Sequence, residues 1–156
     1  MDAGYAVLKS LHIVGVILFL GNIIVTGWWK VMADRTGDAR IIAFAQRQVT
    51  VTDWVFTLGG VVLTLAGGLG NALLHGMPLT TPWLATGLAL FSLSGVIWVA
   101  VLVPLQTRLG AMARVFAGTG EIPPDYWRLE RLWLWFGILA TVLPLAVVPV
   151  MVFKAG

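Results

Sequence analysis

Charged residues crowd into two segments of this chain, 28–53 and 106–131, and the sequence around them is almost free of charge. Four apolar stretches result, roughly Tyr5 to Gly27, Trp54 to Leu74, Pro82 to Leu105 and Leu132 to Phe153. Each is close to the ~20 residues that carry a helix across a bilayer. The pattern predicts an all-α fold, a four-helix transmembrane bundle forming one domain over residues 1–156.

The connections extend that picture. After the turn signal Thr36-Gly37, Asp38 is placed to cap a helix, and Ile41, Ile42, Ala45 and Val49 recur at helical spacing. This predicts a helical extension flowing into the second span. The third span should run on to about Ala117 and break at Gly118, Gly120 and Pro123-Pro124, with Asp125 capping the fourth helix. The short "HGMPLTTPW" connection predicts an antiparallel hairpin of spans two and three.

Composition agrees with the pattern: 59% of residues are hydrophobic and 11% charged, against about 25% charged in soluble domains. The remainder is too short for a separate soluble core, which needs at least ~50 residues. The pI of about 9.8 accompanies a net charge of only +3, and the basic residues flank apolar runs. They read as topology signals, not as a nucleic-acid surface. Lys30, Arg35, Arg40 and Arg47 lie in the first connection and Arg108, Arg114, Arg128 and Arg131 in the third, while the second has neither Lys nor Arg. The positive-inside rule then predicts that the first and third connections face the cytoplasm and both termini the other side, which is the periplasm for the bacterial inner (cytoplasmic) membrane expected as its location. The first apolar run outlasts a signal-peptide core, and no A-x-A-like site follows it, so it reads as a retained helix. With no cysteine, thiolate metal clusters and covalent haem are excluded.

Tryptophans sit where an aromatic belt would form: Trp28 and Trp29 finish span one with Lys30, and Trp54, Trp83, Trp127, Trp133 and Trp135 lie near other span ends. Trp98 is deeper and reads as bundle packing.

Polar residues inside the spans carry the candidate chemistry. At ~100° per residue, Leu8, His12, Gly15, Phe19, Asn22 and Thr26 share one stripe, which should face the bundle or a cavity. Gly15 leaves space either for close helix approach or for a flat ligand beside the imidazole. In span two, Thr50, Thr57, Thr64 and Asn71 repeat every seven residues, beside Asp53, Gly60 and Gly67. That row is a helix-packing seam or one wall of a cofactor or proton-conducting cavity. His75 beside Gly76 and Pro78 reads as an interfacial loop histidine, too far in depth from His12 to share one metal. Asp53 reads as an interfacial ion pair with Arg108 or Lys30, or as a proton inlet. Pro104, Pro144 and Pro149 should bend their helices. Hydrolase and nucleotide-binding motifs are absent, and the residues assign no catalytic group and no metal cluster.

The segments "LKSLHIVGVILFLGNIIV" (8–25), "TDWVFTLGGVVLTLAGG" (52–68) and "WVAVLVPLQTRLGAMA" (98–113) resemble a family of predicted bacterial four-helix integral membrane proteins of unknown function. More distantly, "LKSLHIVGVILFLGN" is similar to the first helix of the oxygen-independent membrane protoporphyrinogen oxidases. In that family a first-helix histidine serves haem b, so the resemblance implies His12 as a haem ligand.

Three functions are therefore expected alternatives. The first is non-covalent haem b binding for electron transfer or porphyrin chemistry, with His12 as ligand and Gly15, Phe19, Asn22, Thr57 and Thr64 lining the cavity. The second is a non-catalytic subunit or assembly partner without any cofactor. The third is a small transporter or channel using His12, Asn22 and Asp53. A homodimer or a membrane-protein partner is compatible with a bundle this small, and whether the protein is an enzyme stays open.

Overall fold

The apolar runs continue into helices longer than a membrane requires. The computed structural model describes residues 2–154 and contains α1 (Ala3–Arg35), α2 (Ala39–Leu74), α3 (Pro82–Thr119) and α4 (Pro124–Phe153). No strand occurs among the described residues. The 38 residues of α3 extend roughly 57 Å at 1.5 Å per residue, nearly twice the ~30 Å hydrocarbon core. All four helices are apolar enough to cross a bilayer, and the charged segments form an extension beyond it.

Local chemistry sets the helix ends. Gly37 takes a positive φ of 65° between α1 and α2, and Asp38 then accepts hydrogen bonds from the backbone N–H groups of Arg40 and Ile41. At the end of α3, Gly120 has φ 79° and its N–H donates to the Phe116 carbonyl at 2.8 Å. The expected cap of α4 by Asp125 is not formed. Pro123 is the capping residue and Pro124 takes the first helical position, where its missing N–H has no partner to lose. Asp125 instead places its charge in the first turn, which favours the positive end of the helix dipole.

The extension is the best-packed part of the molecule. Ile42 and Val49 of α2, Leu109 and Phe116 of α3 and Tyr126 of α4 are buried almost completely and belong to one cluster. Toward the other end the helices present Ile17, Val62, Val96 and Val152 outward, as lipid-facing surfaces require. There α1 pairs with α2 and α3 pairs with α4. The hairpin expected of spans two and three is thus not packed along its length. Among the described residues, α2 and α3 meet in the extension and at its boundary, and not between there and the turn that joins them. The reason lies in the seam: Gly60 and Gly67 let α2 lie against the backbone of α1, which turns its small face away from α3.

Two π turns mark the boundary between the halves, Asp53–Thr57 in α2 and Trp98–Leu102 in α3. Each adds a residue to one turn and shifts the facing of the helix beyond it. The Trp54 and Trp98 rings meet across them at 5.9 Å. Pro104 follows the second π turn, so the bend expected there takes the form of this wider turn. In α4, Pro144 cannot bond the Ala140 carbonyl, and Ser94 of α3 donates to it instead at 2.6 Å. Such repair lets a proline persist within a membrane helix.

Two expectations for flanking residues change. Trp133 is buried in the core cluster and does not join a belt, whereas Trp28, Trp54 and Trp135 are exposed. Lys30 does not finish a span: α1 runs on to Arg35, and Lys30 is completely buried.

Candidate functional site

Three polar assemblies are strung along the bundle, the first on α1 and α2, the second on α1, α2 and α3, and the third on α1 and α4. The one nearest the turn between α2 and α3 is built on the glycine seam. A Cβ on Gly15 would lie 2.5 Å from the Thr64 backbone nitrogen, and one on Gly60 would lie 2.7 Å from the Gly15 carbonyl oxygen. A Cβ on Gly67 would collide with the Leu8 carbonyl. Gly15 therefore serves backbone contact, and no ligand space remains beside it.

This contact places His12 against α2. Its Nδ1 lies 2.8 Å from the Thr64 carbonyl oxygen, and a carbonyl can only accept, so Nδ1 carries the proton. In the neutral ring Nε2 is then a bare lone pair, and it has no protein partner among the described residues. A cavity of about 290 Å³ opens beside the ring, between the α1–α2 and α3–α4 pairs. His12, Phe19 and Thr64 line it together with Gly68, Gly87 and Met151. The rest of its wall is aliphatic apart from Phe91, whose ring meets Phe19 edge to face at 5.6 Å. The Thr64 hydroxyl is buried without a hydrogen-bond partner.

Asn22 and Thr57 lie elsewhere. They belong to the second assembly, centred on the buried Asp53 in its π turn. Asn22 Nδ2 donates to Asp53 Oδ1 at 3.1 Å and to Thr57 Oγ1 at 3.0 Å, and Thr57 Oγ1 donates to Asp53 Oδ1 at 3.0 Å. Gln106 Nε2 donates to Asp53 Oδ2 at 2.6 Å. The Trp98 indole faces the same carboxyl without closing a hydrogen bond of ordinary geometry. Asp53 thus has amide and hydroxyl partners, not the expected ion pair with Arg108 or Lys30. Arg108 is exposed, and Lys30 is engaged elsewhere.

Lys30 organises the third assembly, inside the extension. Its Nζ donates to both Asp34 carboxylate oxygens at 2.6 and 2.8 Å and to the Tyr126 hydroxyl at 3.0 Å, and it pairs with Glu130 Oε1 at 3.0 Å. Glu130 Oε2 is buried and unpartnered. The sequence held a signal for this group, because Lys30–Asp34 and Tyr126–Glu130 are both spaced i, i+4 on amphipathic turns. Nothing local, however, tied one pair to the other.

His75 is exposed at the end of α2. Its ring stands edge-on to Tyr5 at 5.3 Å, and its Nδ1 lies 2.9 Å from the Asn71 carbonyl. It has no part in the His12 cavity.

A family description matches residues 6–155, which takes in nearly all of the four helices. The chain belongs to the family described as Predicted integral membrane protein (DUF2269). Its members are integral membrane proteins of unknown function. No curated protein and no solved structure shows significant similarity to the chain.

Proposed function

We propose that this protein binds haem b non-covalently in a bacterial cytoplasmic membrane, with His12 as an axial ligand, and works in electron transfer or porphyrin chemistry. The observation that carries the reading is the Thr64 carbonyl on His12 Nδ1, which leaves Nε2 free beside an apolar cavity. A ligating histidine characteristically donates its other N–H to such an acceptor, which fixes tautomer and ring orientation.

The donor set narrows the choice of group. No cluster of three or more His, Asp or Glu among the described residues is placed to hold a bare metal ion. A single imidazole suffices for a prosthetic group that brings its own equatorial ligands, as haem does. Phe19, Phe91 and the aliphatic wall would exclude water. The space beside Gly68 is taken by the His12 ring, and that beside Gly87 by the flexible Met151 side chain, which a flat ring would have to displace. When bound, haem would supply one-electron redox chemistry.

A transport path is less well supported. Asn22 lies ten residues from His12, roughly 15 Å along α1 at 1.5 Å per residue, and Gly15 and Phe19 occupy the helix face between them. The polar groups do not join.

The arginines of the extension support a cytoplasmic position for that end and periplasmic termini. The ligand assignment is tested by oxidised and reduced absorption spectra of detergent-purified wild type and His12→Ala, expressed with ample haem supply. A Soret band present in the wild type and absent from the variant is expected. A colourless wild type overturns the reading.

A further inference from the structure

The extension holds a second cavity, of a different character. A groove of about 530 Å³ runs between the first part of α2 and the last part of α3, from Arg40 to Val51 along α2. That distance is roughly 16 Å at 1.5 Å per residue. Arg40, Arg47 and Arg114 line it, and no acidic residue does. Among the described residues none of these arginines is in an ion pair, since both ion pairs belong to Lys30. Only Arg47 has a fixed neighbour, the Phe44 ring 5.6 Å away.

Gln46 also lines the groove and is 1% exposed, and its Nε2 donor is buried with no partner. Burying an amide donor without a partner is costly, and Gln46 shares this groove with the unpaired arginines. Gln106 lines the same groove while its Nε2 holds Asp53. Gly110, Ala113 and Ala117 form the wall on α3, and these small side chains leave the space between the helices open.

We infer that this groove binds a phosphate-bearing anion, held by Arg47 and Arg114 with Gln46 Nε2 as a neutral donor at its buried edge. Arginine suits phosphate oxygens because its planar fork can make two parallel hydrogen bonds. The phosphate can belong to an anionic lipid headgroup, since basic pockets between membrane helices on the cytoplasmic side are suited to such headgroups, or to a free anion. The inference is independent of haem at His12, which lies in the other half of the bundle.

The test uses full-length protein in neutral detergent. Melting temperature and native mass spectrometry are followed with phosphatidylglycerol, phosphatidylcholine and inorganic phosphate as separate probes. Arg47→Gln/Arg114→Gln changes two exposed side chains and should leave the fold intact, while Gln46→Leu removes the buried donor.

A phosphatidylglycerol adduct with a raised melting temperature, weakened about ten-fold or more in the double variant, identifies a lipid headgroup site. A rise with inorganic phosphate alone, lost in the same variant, identifies a free-anion site. Two outcomes overturn the proposal: equal binding of phosphatidylcholine and phosphatidylglycerol with no response to inorganic phosphate, or binding unchanged in both variants.

Discussion

Lys30 Nζ and Glu130 Oε1 stand 3.0 Å apart and join α1 to α4 inside the extension, with neither side chain open to water beyond a few per cent. The cation is well matched, since Lys30 also reaches Asp34 and the Tyr126 hydroxyl, whereas Glu130 depends on Lys30 alone and keeps Oε2 unpartnered.

Lys30→Met leaves Glu130 buried without its cation and should destabilise the protein by about 3–5 kcal/mol, the usual cost of breaking a buried pair from one side. Lys30→Met/Glu130→Leu should recover most of that loss, because an apolar pair of similar volume carries no desolvation penalty. Thermal unfolding of the single and double variants in one detergent decides between these outcomes. A double variant no more stable than Lys30→Met would show that the ion pair is not the source of the loss.

Gln106 gives Asp53 its shortest hydrogen bond, 2.6 Å to Oδ2, while Oδ1 is served twice, by Asn22 and Thr57. Gln106→Leu should therefore cost about 1–3 kcal/mol, the penalty of stranding a buried acceptor. Thr57→Val should cost less, since Asn22 remains on the same oxygen. Equal losses in the two melting curves would contradict this division of roles.

Three glycines separate packing from ligand space. A Cβ at Gly67 meets the α1 backbone, one at Gly68 lies 2.8 Å from His12 Nδ1, and one at Gly21 meets nothing within 4 Å. Gly67→Ala should lower stability by about 1–3 kcal/mol through overpacking, and Gly21→Ala should be neutral or raise it by up to ~1 kcal/mol. Gly68→Ala should displace the imidazole and, if haem binds as proposed, reduce its absorbance out of proportion to any loss of stability. Melting curves and spectra on the same samples give both readouts.

Ser94→Ala should cost roughly 0.6 kcal/mol, the average for a hydrogen bond between membrane helices, by leaving the Ala140 carbonyl without a donor. Adding Pro144→Ala restores a backbone N–H to that carbonyl, so Ser94→Ala should have less effect in that background. A double-mutant cycle on unfolding free energies measures the coupling, and additive effects would show that Ser94 does not compensate for the proline.

Much of the architecture was legible in the linear pattern. Apolar runs of membrane length and the capping Asp38 depend on neighbours within a few turns, and so do the breaks at Gly120 and Pro123. Helical periodicity also brought His12, Gly15 and Phe19 onto one face, because a 3.6-residue repeat is a property of the chain alone.

The tertiary structure decided which faces met. Gly15, Gly60 and Gly67 left both a packing seam and ligand space open, and only the approach of α1 to α2 shows backbone filling that space. Asp53 looked ready for an arginine and instead found Gln106, 53 positions away. Lys30 looked like an interfacial charge until Tyr126 and Glu130 arrived from the far end of the sequence. A polar side chain within a helix must find a partner, but which partner depends on long-range packing angles and on the π turns that reset facing. Those are set by contacts among all four helices together, and local spacing does not encode them.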